Sequence, residues 1–102
     1  MSFNGSEGGT ITLATGKKLT EAFKSAFPTQ VKGRFFGKDK LNQILNQQGC
    51  NGIRMYFGLD ANGVMELVLC GADQNENDML NVIMDLSIPC PTSCGTANDL
   101  NR

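Results

Sequence analysis

Hydrophobic positions in the first half of the chain recur at helical spacing. Five apolar side chains follow the i, i+3, i+4, i+7, i+8 series of one helical face, namely Leu19, Ala22, Phe23, Ala26 and Phe27. Because Pro28 follows directly, this pattern predicts a helix over residues 16–27. A second apolar series in "KDKLNQILNQQG", which ends at Gly49, predicts another helix.

From Gly52 onwards the period changes from helical to twofold. The stretch "GIRMYFGL" alternates and "VMELVLCG" follows it, and the Asn62-Gly63 pair between them supplies the positive φ angles of a tight hairpin turn. The stretch "LNVIMDL" predicts a third strand. Within the hairpin, Glu66 is predicted to pair with Arg54 across the two strands.

Two shorter stretches complete the pattern. The segment "TITLAT" at residues 10–15 has the β-branched alternation of a strand, and "VKGRFFG" predicts another. The expected order is β-α-β-α-β-β-β, an α+β fold in which both helices pack on one face of an antiparallel β-meander. Residues 1–9 are Gly-rich and predict a flexible N-terminal arm, and residues 10–102 predict a single domain with a Pro- and Cys-containing C-terminal tail.

Composition narrows the class of protein. A chain of 102 residues forms one domain and buries roughly 65% of its unfolded surface without metals or disulfides. The formal net charge of -1 gives no basic surplus for nucleic acid, and no run reaches the roughly 18 apolar residues that span a bilayer. The start "MSFNGSEGGT" does not resemble a secretory signal, so we expect a cytoplasmic protein with reduced thiols.

The chain contains no histidine. Ser-His-Asp and Cys-His catalysis therefore cannot be assembled within it, and the commonest metal ligand is missing. No other set of residues forms a recognisable catalytic or cofactor motif. The sequence favours a protein that is not an enzyme and that needs no cofactor.

The stretch "IPCPTSCG" is the first candidate site. Pro91 suits the first position of a helical turn, which would bring Cys90 and Cys94 to the same side. The pair is interpreted as a redox couple, a disulfide, half of a soft-metal site or part of a docked tail. A zinc site would need Cys50 and Cys70 as well, and neither has the spacing of a zinc knuckle.

A second candidate lies in "DQNENDM". Asp73, Asn75 and Asn77 place oxygen atoms at the alternate spacing that begins a calcium loop. Asp78 stands where such a loop needs glycine, and Met84 where it needs glutamate. These residues are candidates for a metal site, and a solvated turn is the alternative.

Three motifs carry a family resemblance when taken together. "GIRMYFGLDANG", "LVLCGAD" and "IPCPTSCG" resemble a family of small uncharacterised bacterial proteins with a Gly-Ile-Arg hairpin and a C-terminal Cys-Pro-x-x-Cys motif. The resemblance covers roughly the last two thirds of the chain. It implies a domain that occurs alone, and it brings no functional residues with it.

From these observations the sequence predicts a non-enzymatic interaction or accessory module. We expect it to use a sheet face or an exposed edge to self-associate, as a homodimer, or to bind another protein. The alternative is a thiol redox or soft-metal function at Cys90 and Cys94, with Arg54 or a nearby lysine stabilising the thiolate. No nucleic acid or membrane is expected as a partner.

Overall fold

The structure, a computed structural model, describes residues 2–102, which form two helices and five strands. In chain order the elements are α1 Leu13–Ala26, β1 Gly33–Phe35, α2 Lys38–Leu45, β2 Gly52–Leu59, β3 Met65–Ala72, β4 Asp78–Met84 and β5 Ile88–Cys90. All strand pairs are antiparallel. The predicted α+β class and the antiparallel meander are confirmed.

The meander is a three-stranded sheet in the order β2-β3-β4. Its first turn is the predicted one, with Gly63 at a φ of 77° and the Asp60 carboxylate accepting from the Asn62 and Val64 amides at 2.8 and 2.9 Å. The register places Arg54 opposite Cys70 and Glu66 opposite Gly58. The predicted pair of Glu66 with Arg54 is therefore wrong, because the two residues lie at different levels of the hairpin.

The pairing of β3 with β4 is interrupted. Cys70 lies opposite Ile83, whereas the next residue, Gly71, lies opposite Met79. Residues 80–82 thus have no partner on β3 and form a bulge in the outer strand. A bulge of this kind bends a strand away from the plane of its sheet.

Helix α2 packs against the meander through its apolar side. Ile44 is completely buried, and Leu69 of β3 is 1% exposed. Gly71 lets the turn that follows α2 approach closely, since a Cβ there would lie 2.9 Å from Cys50 Sγ and 3.0 Å from Gln47 Nε2. On the same face, Phe23 of α1 lines a groove of about 180 Å³ together with Leu67 and other residues.

Residues 10–15 do not form the predicted strand. The Thr12 hydroxyl accepts from the Thr15 amide at 3.1 Å and caps α1, which begins at Leu13. Threonine suits an N-cap as well as a strand, and here the capping bond is formed instead of strand pairing. The chain also has a further short strand, β5, which pairs with β1.

Neither helix within residues 2–102 is long and apolar enough to cross a membrane.

Candidate interaction surface

The structure brings the first candidate pair together. Cys90 and Cys94 form a disulfide with their Cα atoms 4.7 Å apart. The Cys90 carbonyl accepts from the Lys32 amide at 2.6 Å, next to the β1–β5 pair. Asn101 Nδ2 donates to the Cys94 carbonyl at 3.0 Å. The pair thus lies in a tail that is fastened to the domain.

Cys50 and Cys70 are free thiols. Cys70 is buried in β3, and this burial raises the pKa of its thiol, so it stays protonated at neutral pH. Cys50 donates to the Gly52 carbonyl at 3.2 Å. Within residues 2–102 no group of three or more His, Cys, Asp or Glu side chains is arranged to hold a metal.

The second candidate, the loop after β3, is organised by protein contacts. Asp73 Oδ1 accepts from the amides of Asn75 and Asn77 at 2.9 and 3.0 Å, which is the geometry of an Asx turn. Asp78 begins β4 and is bonded to side chains of β2. The carboxylates of Asp73 and Asp78 are thus engaged by groups of the protein itself.

A polar cluster joins the two outer strands of the meander. Asp78 of β4 accepts from Arg54 Nη1 and from the Tyr56 hydroxyl of β2, each at 2.5 Å. The bonds from Tyr56 and Arg54 lower the pKa of Asp78, and the bond to Asp78 raises the pKa of Tyr56. At neutral pH the carboxylate stays charged and the phenol neutral. The cluster therefore acts as a tie between the two outer strands of the meander.

The N-terminal arm contacts this cluster through Phe3. The guanidinium carbon of Arg54 lies 5.3 Å from the centre of the Phe3 ring, a cation–π arrangement. The Phe3 amide donates to the Gln74 carbonyl at 3.0 Å, and Asn51 Nδ2 donates to the Phe3 carbonyl at 2.9 Å. The Gly-rich composition of residues 1–9 predicts a flexible arm, and their single aromatic residue, Phe3, is the one signal of these contacts in the sequence.

A second polar cluster surrounds Arg34 of β1, whose side chain is 8% exposed. Its Nε and Nη2 donate to the Met65 carbonyl at 3.0 and 2.8 Å, and Nη1 donates to the Ser87 carbonyl at 3.4 Å. Nη2 also lies 3.4 Å from the Glu66 carboxylate, whose pKa is raised by a hydrogen bond shared with Asp85 and by burial. Arg34 thus links the two sheets.

Large hydrophobic side chains are exposed along β2. Of the large exposed hydrophobic residues, four lie on β2, which is more than on any other element. Three of these alternate along the strand and face the helix side of the sheet: Met55, Phe57 and Leu59, which are 55%, 83% and 70% exposed. We call these three residues the β2 row. It borders the groove that Phe23 lines.

The exposure of the β2 row reflects a small core. Among residues 2–102 the buried hydrophobic residues are Ile44, Leu69, Cys70 and Ala72. The accessible surface is 7463 Å², whereas a folded monomer of 11.0 kDa exposes about 5,600 Å². The Cα radius of gyration is 15.1 Å, against about 12.8 Å for a compact domain of this length. One chain therefore leaves about 1,850 Å² more surface in water than its mass requires.

Comparison of the chain with protein-family models, curated proteins and solved structures gave no match. The resemblance drawn from the hairpin and the C-terminal motif stays a prediction.

Proposed function

We propose that this protein is a non-enzymatic interaction module that self-associates. The observation that carries the proposal is the excess surface of about 1,850 Å² per chain. A standard protein–protein interface removes about 800 Å² from each partner. The excess is thus large enough for an interface of standard size or above.

Charge also supports self-association. The formal net charge of -1 creates almost no long-range repulsion between copies. The β2 row carries no charged side chain, and the one charged residue of β2, Arg54, is bonded to Asp78 of the same chain. Two copies can therefore approach through this surface without burying an unpaired charge.

The proposal is tested by sedimentation velocity of the whole chain over a range of concentrations. We expect a species of two or more copies of the 11.0 kDa chain. The runs are repeated with reductant, so that an intermolecular disulfide through Cys50 is distinguished from a non-covalent assembly. A mass of one chain throughout would overturn the proposal.

Thiol redox chemistry at Cys90 and Cys94 is the second candidate, because the two sulfurs are bonded. We also propose the cytoplasmic location that the sequence predicts, although the reduced thiols expected there are replaced by a disulfide at Cys90 and Cys94. Thiols in the cytosol are held reduced, so the bond has to open and close there. A structural disulfide of an oxidising compartment would instead stay closed at the cytosolic glutathione potential.

Equilibration in glutathione buffers of defined potential, followed by intact mass, tests this candidate. Redox chemistry predicts a gain of two hydrogens, mapped to Cys90 and Cys94, between about -220 and -320 mV. The matched control is the Cys90→Ser/Cys94→Ser double variant, in which no such change should occur. A bond that is still closed at the reducing end of this range would argue against the redox function.

A further inference from the structure

Strand β2 has a regular unpaired edge. It pairs with β3 without interruption from Gly52 to Leu59 on one side, and within residues 2–102 no strand pairs with it on the other. Exposed edges of this kind present free amide and carbonyl groups and are templates for pairing with another strand. β2 contains no proline, no lysine and no bulge, and its one charged residue, Arg54, is bonded to Asp78 of the same chain.

The opposite edge of the same sheet is different. Strand β4 is interrupted by the bulge at residues 80–82, and it begins with Asp78, which is tied to Arg54. A bulged strand cannot offer a continuous ladder to a neighbour. The two edges are therefore not equivalent, and only β2 is suited to strand addition.

We propose that two copies of this chain pair through β2 in antiparallel orientation, so that their meanders join into one six-stranded sheet. This inference rests on the proposed self-association and names its surface. An antiparallel pair of identical strands is self-complementary and satisfies a twofold axis. The occupant of the edge is thus a second copy, in line with the excess surface that each chain exposes.

The alternation of side chains along β2 restricts the register in which the two copies of this strand can pair. Directly opposite residues in an antiparallel pair lie on the same face, so the β2 row stays on one face only if odd residues pair with odd residues. The arm contacts the start of the strand at Asn51. A register centred on Tyr56 leaves Asn51 outside the paired residues, and it places Met55 of one copy opposite Phe57 of the other.

Phe57→Lys tests the surface, and Leu80→Lys is the matched control on the other edge. Both side chains are largely exposed in the single chain, at 83% and 67%, so neither change removes core packing. A lysine in the middle of the row is expected to weaken dimerisation at least thirtyfold, about the effect of losing a hot-spot residue. Leu80→Lys should dimerise as the original chain does.

The possible results separate this inference from the proposed function. A chain that is monomeric without any substitution overturns both. A dimer that Phe57→Lys leaves intact overturns the pairing through β2 and leaves self-association standing. Circular dichroism shows whether each variant is folded.

Tyr56→Cys provides a test that does not depend on weakening the dimer. At the centre of the register the two introduced cysteines face each other with Cα atoms about 4.5–5.5 Å apart, within the range of a disulfide. We expect mild oxidation to cross-link Tyr56→Cys chains and not Leu80→Cys chains. If Phe57→Lys fails to fold, the cross-linking experiment alone decides whether the chains pair through β2. An absence of cross-linking at position 56 overturns the pairing.

Discussion

Replacing Ile44 with alanine is expected to lower the free energy of unfolding by about 3–4 kcal/mol. Ile44 is fully buried and holds α2 against the meander, where it is one of only four buried hydrophobic residues within residues 2–102. A domain of this size has a total stability of about 5–15 kcal/mol. The loss therefore removes a large fraction of what keeps the chain folded.

Urea denaturation followed by circular dichroism measures this effect. All samples are compared at one protein concentration, because self-association makes apparent stability concentration-dependent. The control is Leu45→Ala, the same kind of truncation one residue later, at a side chain that is 44% exposed. Its cost should be within about 0.5 kcal/mol. Equal effects at the two positions would mean that α2 does not pack through Ile44.

Replacing Arg34 with alanine is expected to cost about 2–3 kcal/mol. The substitution leaves the Met65 and Ser87 carbonyls without their donor in a region where the Arg34 side chain is almost fully buried. A buried acceptor that loses its partner carries its full desolvation penalty. The sheet of β1 and β5 would also lose a link to the meander.

Two further variants show whether geometry or charge is responsible. Arg34→Lys keeps the positive charge but cannot reproduce the forked donor, so we expect it to recover only part of the lost stability. Arg102→Ala makes the same change at an exposed arginine and should have little effect. Full recovery by Arg34→Lys in urea denaturation would contradict the role given to the forked hydrogen bonds.

The parts of the fold that follow from local chemistry could be predicted from the sequence. The Asn62-Gly63 pair determines a tight turn almost alone, and the twofold alternation on each side of it determines the two strands. The helical series ending at Pro28 likewise required no knowledge of the rest of the chain. Cys90 and Cys94 are only four residues apart, and this spacing allowed their disulfide to be anticipated as one alternative.

What could not be predicted depends on residues far apart in the chain. Thr12 has β-branched chemistry that suits a strand, and only the helix that follows makes it a cap. Arg54 was expected to pair with Glu66 in its own hairpin, whereas the partner it has, Asp78, comes from the next strand. The burial of Arg34 has no local signal, because it depends on how the two sheets meet.

The bulge at residues 80–82 limits how many chains such an assembly contains. A sheet with two regular edges can add copies without end and grow into a fibre. Here pairing through β2 uses the regular edge of both chains, and the sheet that results ends in a bulged β4 on each side. An assembly paired as proposed would therefore close at two copies, and repairing the bulge would remove the barrier to further growth.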